Sequence, residues 1–341
     1  MQERHSISDV TAYATQAFRL AGVRASQAQS AAEILVLAEA MGIGTHGLSR
    51  VRVYIDSIAA GGINPTARIT ATAPAPALCH IDGQNGLGPA VANHARLAAQ
   101  KAARACGIGA AFVKGGNHLG ALAPHLFLAA EAGFAAFVTT NTAPMIAPAG
   151  GREARIGNNP VGIAIPHPDG QHLLLDLALS VVARSRVRAA AESGQQIPES
   201  WATDVDGHPT TDPAKAMQGL MRAIGGDKGA LLALGFDLMT GALSGSGILD
   251  EIPSKAAQPD KPQNLGQMII LIDVAHLSGA EPLGQRLDSA REILAATPGR
   301  DPSHPPRLPG ERALAQLRDA RENGLVLPRA LLGEIRALAK P

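Results

Sequence analysis

Apolar positions recur at helical spacing through the first part of the chain and gather into short unbroken runs through its middle, so the sequence divides into a helical beginning and an α/β remainder. Residues 8–22 and 26–41 read as two helices. The second carries Ile34, Leu35, Leu37, Ala38 and Met41 at helical spacing and takes Ser26 as its cap. Residues 45–58 have the pattern of a third helix, which must stop at Gly61-Gly62 and Asn64-Pro65. From residue 67 the texture changes to strand-length apolar runs at 78–81, 109–113, 135–139, 162–165 and 173–175, parted by Gly- and Pro-rich turns. Helical stretches at 89–105 and 121–132 separate the first three runs, which gives β-α-β-α-β and an α/β core.

Further on, residues 192–213 contain Pro198, Gly207, Pro209 and Pro213 and read as a long ordered loop, while 228–243 is apolar enough for a buried helix. Residues 246–265, rich in Pro, Ser, Lys and Asp, read as a surface excursion before a last strand at 268–272. Periodic segments at 283–296 and 310–322 return the chain to helix, and the C-terminal helices are expected to pack on the N-terminal ones.

At 341 residues the chain suits two or three domains sharing a large core. Aromatic residues are only 3%, so that core must be built from Ala, Leu, Ile and Val. Thirty basic against twenty-nine acidic residues leave no basic block able to neutralise a run of phosphates, and nucleic acid is not expected as a partner. Two cysteines, Cys79 and Cys106, make neither a disulfide framework nor a four-thiolate site, which suits a reducing compartment. No signal core follows Met1, and apolar stretches break well short of the ~18 residues a membrane span needs, so a cytoplasmic protein is expected.

Gly42-Ile43-Gly44-Thr45-His46-Gly47 is a literal G-x-G-x-x-G. A Rossmann turn requires a strand before it, so that the following helix points its N-terminus at the pyrophosphate, and here a helix precedes. Any dinucleotide must be held elsewhere.

Three glycine-punctuated clusters place polar groups where backbone can approach a ligand. In Thr45-His46-Gly47-Leu48-Ser49-Arg50 a histidine and an arginine four residues on offer a proton donor and a carboxylate clamp, or simply a capped helix with a surface arginine. Gly116-Asn117-His118-Leu119-Gly120 follows a strand and precedes a helix, where His118 suits either acid/base work or helix capping. The third comprises 139–144 with Asn141 and Thr142, 157–160, 175–180 and 225–229; it suits ribose and phosphate binding, or ordinary turns. His118, His125, His167 and His172 could also be imagined as ligands in a metal hydrolase, although no ligand spacing on a single element supports it. The residues by themselves describe an α/β enzyme with a histidine-bearing polar cleft.

In their order, THGLSRVRVYIDSIAAGGINP (45–65), GNHLG (116–120), TNTAPMIAPAGG (140–151), GNNPVGIAIP (157–166), LLLDLALS (173–180), IPESWATDVDGHPTTDP (197–213), GGDKG (225–229) and LPGER (308–312) resemble the malate/L-lactate dehydrogenase family of the non-Rossmann type. That family also holds ureidoglycolate and sulfolactate dehydrogenases, diketogulonate reductase and piperideine-2-carboxylate reductases. The resemblance implies an α/β fold with a non-Rossmann, mixed-sheet NAD(P)-binding core, residues 76–309, in which 121–234 would be inserted as a subdomain. It implies a helical domain from both chain ends, residues 1–75 and 310–341, and a homodimer. It implies hydride transfer between NAD or NADP and C2 of a small 2-oxo or 2-hydroxy acid, or reduction of a cyclic imino acid. By the same resemblance His118 and His46 are the catalytic pair and Arg50 clamps the substrate carboxylate, with Thr45 and Asn141 as further substrate contacts. Cofactor contacts fall on Thr142, on Leu174, Leu175, Asp176, Leu177, Ala178, Leu179 and Ser180, on Asp227 and Lys228, and on Gly310, Glu311 and Arg312.

The chain departs from the family pattern in places. Leu179 stands where members commonly carry Thr, Ser185-Arg186 replaces Gly-Lys, and Met221-Arg222-Ala223-Ile224 lacks the usual Pro. Arg184 and Arg186 would favour a 2′-phosphate and Asp227 would argue the other way, so the choice between NAD and NADP stays open.

Overall fold

The computed structural model describes residues 4–255, 257–301, 303 and 305–340. The chain opens with β1 (Arg4–His5), α1 (Ile7–Leu20), α2 (Ala25–Ala40), a 3-10 turn (Gly44–His46) and α3 (Arg50–Ala60). Then follow β2 (Thr70–Ala75), β3 (Leu78–Asp82), α4 (Gly88–Cys106), β4 (Ile108–Gly116), α5 (Ala123–Glu131), β5 (Phe134–Thr140), β6 (Val161–Ile165) and β7 (Leu173–Leu177). Next come α6 (Arg184–Ser193), α7 (Pro213–Gln218), α8 (Asp227–Ser244), β8 (Leu265–Asp273), α9 (Ala280–Ala295), α10 (Glu311–Asn323), β9 (Leu325–Val326) and α11 (Arg329–Leu338).

Strands β2 to β8 form one mixed sheet in the order β2-β3-β4-β8-β5-β6-β7. Only β3 and β4 pair in parallel, joined by α4 as the crossover helix; all other neighbours are antiparallel. The expected β-α-β-α-β unit is therefore present with a difference. β4 and β5 do run the same way, but β8, more than a hundred residues later, lies between them. Its run LGQMIILID is almost wholly buried, as a strand covered on both faces should be.

Local chemistry explains most of the element ends. α1 is capped by the Ser6 hydroxyl, which accepts from the Asp9 N–H. α4 begins with Pro89 in its first turn and ends at Gly107 in the left-handed conformation. The expected cap at Ser26 is not used: α2 starts at Ala25, with Arg24 in the extended cap position and no side-chain bond. The helix expected over 45–58 splits, because Gly47 takes a backbone angle pair no helix allows (φ −96, ψ −133) before α3 starts at Arg50. A Cβ at Gly47 would lie 2.3 Å from the Glu39 carboxylate, which accepts the Leu48 N–H, so only glycine fits this crossing. β2, α6 and α7 are not expected from the sequence, each being short or weakly periodic, and α11, a short amphipathic helix at the chain end, is not expected either.

The chain ends meet. β1 pairs with β9, and Val10, Ala14 and Phe18 share a buried cluster with Leu314, Leu317 and Ile335 and with sheet residues Ile81, Val113 and Ile269. A second apolar cluster, including Ile146, Val187, Met221 and Ala233, lies inside the segment 121–234. The segment 246–265 runs over the surface as its composition suggested, with 250, 251, 254, 257 and 259–262 exposed, but Ile252, Gln263 and Leu265 are buried and Lys255, Gln263 and Leu265 line a cavity.

Candidate active site

A cavity of about 650 Å³ opens beside the carboxyl ends of β4 and β5. That is enough for a small substrate together with part of a larger ligand. Its one end is built by the turn before α3 and the turn after β4. Gly88 sets the latter, since α4 approaches so closely that a Cβ there would stand 2.1 Å from the His118 carbonyl oxygen.

His46 and His118, 72 positions apart in the chain, stack with ring centroids 5.4 Å apart at 27°. The His118 Nδ1 faces the Tyr54 hydroxyl at 2.7 Å and takes a second contact from the Gly120 N–H at 3.3 Å. Because a backbone N–H can only donate, Nδ1 acts as acceptor and Nε2 carries the hydrogen of the neutral ring. Burial, and then His46, Arg50 and Lys255, hold His118 well below the ordinary imidazole value. Burial and Arg50 bring His46 down to about 4. Tyr54 is wholly buried and its hydroxyl is pushed up, so it stays a hydroxyl.

Arg50 stands at the first position of α3, and its Nε donates to the Thr45 carbonyl at 2.6 Å. That bond fixes the guanidinium plane and leaves the terminal nitrogens for the cavity, which Arg50 lines. Lys255 lines it too, with its Nζ 5.9 Å from the Tyr54 ring centre.

The other end is bordered by Thr142, Asn158, Leu174, Asp176, Leu177 and Ala178, by Ala183, Arg184 and Ser185 at the start of α6, and by Gly310 and Arg312 at the start of α10. Neither helix start carries a side-chain cap, and although the Arg186 and Glu311 N–H groups bond the Ala183 and Leu308 carbonyls, the positive ends of both helix dipoles lie at this end beside two arginines. Such a lining suits the phosphates of a dinucleotide. Asp176, the one acidic residue among the described lining residues, is accessible from the cavity; its carboxylate accepts the Ala123 N–H at 2.9 Å, and the desolvation it meets inside the cleft raises its pKa.

Other sequence-derived positions lie elsewhere. Asn141 is fully buried with both ends of its amide on backbone, to Gly247 O and Gly266 N, each at 2.8 Å, so it braces the floor under the cavity. Thr45 is exposed and bonds the His46 Nδ1 at 3.0 Å. Leu175 stands on β7 outside the lining, Leu179 belongs to the second core, and Ser180 bonds the Val182 carbonyl at 2.9 Å. Asp227 and Lys228 are exposed at the start of α8, Asp227 beside a separate cleft, and Glu311 pairs with Arg291 at 3.1 Å. Arg184 lines the cavity, whereas Arg186 stacks on Trp201.

The histidines imagined as metal ligands are dispersed. His125 is buried against the Leu119 carbonyl, His172 bonds Glu131 at 2.7 Å and His167 meets Asp288 at 3.3 Å. Among the described residues the one ligand-type cluster is Asp204, Asp206 and His208, away from the cavity. The sequence reading missed Tyr54 and Lys255. Tyr54 had a faint signal, a lone polar-tipped aromatic on the buried side of a helix in a chain with two tyrosines; Lys255 had none.

A family model described as malate/L-lactate dehydrogenase matches residues 5–336. The chain is 34% identical over 340 residues to a Δ1-pyrroline-2-carboxylate reductase from Ancylobacter novellus, covering 98% of this chain and 97% of the relative. It is 32% identical to an NADP(+) (2R)-3-sulfolactate dehydrogenase from Chromohalobacter salexigens, covering 99% of each. The crystal structure of a malate dehydrogenase from Entamoeba histolytica superposes with a TM-score of 0.90 at 25% identity, over 99% of this chain and 98% of the other.

Proposed function

The chain belongs to the malate/L-lactate dehydrogenase family, and from that premise we propose that it transfers a hydride between a nicotinamide dinucleotide and C2 of a small 2-oxo or 2-hydroxy carboxylate. One observation carries the reading: a stacked histidine pair and a fixed arginine stand at one end of a cavity whose other end is bordered by two uncapped helix starts.

NAD or NADP, when bound, supplies the hydride donor or acceptor, a chemistry no side chain offers. Thr142, Leu174, Asp176, Leu177 and Ala178 with the helix starts at 183–185 and 310–312 would hold it. Arg184 beside the α6 start would suit a 2′-phosphate, but its guanidinium already donates to the Met217 carbonyl at 2.7 Å, and the relatives' names carry both NADP(+) and NAD(+), so either nucleotide fits the proposal.

Arg50 receives the substrate carboxylate through its two terminal nitrogens and so fixes C2 in place. His118 is neutral in the free protein, with Nε2–H directed away from the Tyr54 contact. A bound carboxylate cancels part of the positive field that depresses the ring, so reduction draws a proton onto His118 as substrate binds and passes it to the C2 oxygen. The Tyr54 hydroxyl serves both forms, donating to Nδ1 of the neutral ring and accepting from Nδ1–H of the charged one, which gives up the longer 3.3 Å contact from the Gly120 N–H. His46, stacked on His118 and held uncharged, lines the cavity at the same end. Reduction of a cyclic imino acid is the second reading for the same site, favoured by the name of the 34% identical reductase.

A homodimer belongs to the proposal. Leu231, Leu232, Leu238, Met239 and Leu243 make an exposed stripe along α8, with Leu243 65% and Leu231 57% accessible, an apolar face that a second copy would cover. So do a cytoplasmic setting, which the free thiols Cys79 and Cys106 suit, and a division into a helical unit (1–75 with 310–341) and a core (76–309). The test is titration of NADH and NADPH fluorescence with the protein, followed by oxidation assays on 2-oxo acids and cyclic imines. Binding followed by turnover of a 2-oxo acid supports the reading; absence of binding by either nucleotide overturns it.

A further inference from the structure

The histidine end of the cavity carries more positive charge than one carboxylate would neutralise. Arg50 accounts for that carboxylate, yet Lys255 lines the same space, reached by the chain segment that closes over it. The Lys255 Nζ is buried and has no hydrogen-bond partner among the described residues. A buried ammonium without a partner is costly, and proteins retain one where a ligand completes it. The described lining offers no protein counter-ion, since Asp176, its one acid, is already engaged with α5. Lys255 acts on His118 through space, as Arg50 does, which puts both cations within electrostatic reach of the reacting end. The nearby Tyr54 ring gives the ammonium a weak face-on contact at 5.9 Å, well short of a salt bridge.

We propose that Lys255 is a specificity-determining residue that receives a second anionic group of the substrate, so that the preferred substrate is a 2-oxo or 2-hydroxy acid with a further carboxylate or sulfonate. The inference rests on the hydride-transfer reading above and narrows it. A cyclic imino acid or a simple monocarboxylate offers Arg50 its only anion and would leave the Lys255 charge buried and unpaired. Burial lowers the Lys255 pKa to about 8, which leaves it mostly cationic at neutral pH and ready for an anion.

The test compares oxaloacetate, 2-oxobutyrate and 1-pyrroline-2-carboxylate as substrates at saturating nucleotide in the wild-type protein, Lys255→Met and Lys255→Arg. The expected result is that the wild type prefers oxaloacetate and that Lys255→Met lowers the ratio of kcat/KM for oxaloacetate to that for 2-oxobutyrate at least about tenfold, the scale of one charge-assisted hydrogen bond. The loss should fall on KM, and Lys255→Arg should recover most of the ratio. An equal ratio in wild type and Lys255→Met, or a wild-type preference for the monoanion or the imine, overturns the assignment. Calorimetric titration of the nucleotide complex with L-malate and with L-lactate separates this from the hydride-transfer reading. Tighter malate binding that Lys255→Met abolishes upholds the anion contact even if no substrate turns over, whereas equal affinities for the two overturn it.

Discussion

Replacing Arg50 by lysine keeps the charge and removes the geometry, and the structure states what each is worth. The Nε–H of Arg50 is committed to the Thr45 carbonyl at 2.6 Å, so the guanidinium offers its two terminal nitrogens to a carboxylate in one fixed plane. A lysine ammonium satisfies one of the two carboxylate contacts and leaves the Thr45 carbonyl without this donor. Losing one charge-assisted hydrogen bond costs roughly 1.5–3 kcal/mol, and each 1.4 kcal/mol is about a factor of ten. KM for the 2-oxo acid should therefore rise roughly ten- to a hundredfold while nucleotide affinity, read by NAD(P)H fluorescence, holds. Arg50→Met separates charge from shape. Arg50 is among the causes that lower both His46 and His118, so removing its charge raises both pKa values. In the reductive direction, which needs the protonated ring, the fall-off of kcat/KM with rising pH then moves to higher pH in Arg50→Met and stays in place in Arg50→Lys. An unchanged KM in Arg50→Lys removes this arginine from the substrate site, and an unmoved profile in Arg50→Met removes it from the electrostatics of the histidine pair.

His118→Ala should lower turnover at least about a hundredfold, the usual scale for loss of general acid/base help, with nucleotide binding intact; near-normal turnover would shift the role to His46. Tyr54→Phe takes away the 2.7 Å partner of Nδ1 while leaving the Gly120 contact, so kcat should drop about tenfold and melting should come a few degrees earlier; a variant with wild-type kcat would show that Tyr54 only fills space. Leu238→Glu on the exposed stripe of α8 should halve the mass measured by light scattering, and a monomeric wild type would defeat the dimer proposal. His125 is buried, unprotonated, with a pKa near 4, well under its unfolded value of about 6.5, so the unfolded chain binds the extra proton between those values. Stability should accordingly fall as pH drops from about 6.5 towards 4, and His125→Gln, an uncharged replacement, should shallow that slope in a series of melting curves. An identical slope would mean that other groups carry the acid sensitivity.

Much of the architecture was legible because periodicity reports local burial. The spacing in 26–41 and 89–105 gave α2 and α4 almost to their ends, and unbroken runs such as 268–272 marked strands buried on both faces. The preceding helix disqualified G-x-G-x-x-G as a Rossmann turn, and in the fold Gly42 ends α2 while Gly47 makes room for Glu39. His118 and Arg50 were legible as candidates because they stand beside glycine turns at strand and helix ends, where helix capping was the competing reading, and it was the family resemblance that gave them roles.

What the sequence alone determined was therefore the kind of each segment, its covering face and a short roster of reactive side chains, all consequences of spacing within one element. Only the tertiary structure decided which of these meet. It put β8 between β4 and β5, brought His46 onto His118, set Tyr54 behind that pair, turned Asn141 into a brace, and ran a polar, proline-rich segment past the cavity so that Lys255 lines it. Those outcomes depend on contacts between residues tens to hundreds of positions apart. No local periodicity encodes them, because the free energy that selects them comes from the packing of finished elements against one another.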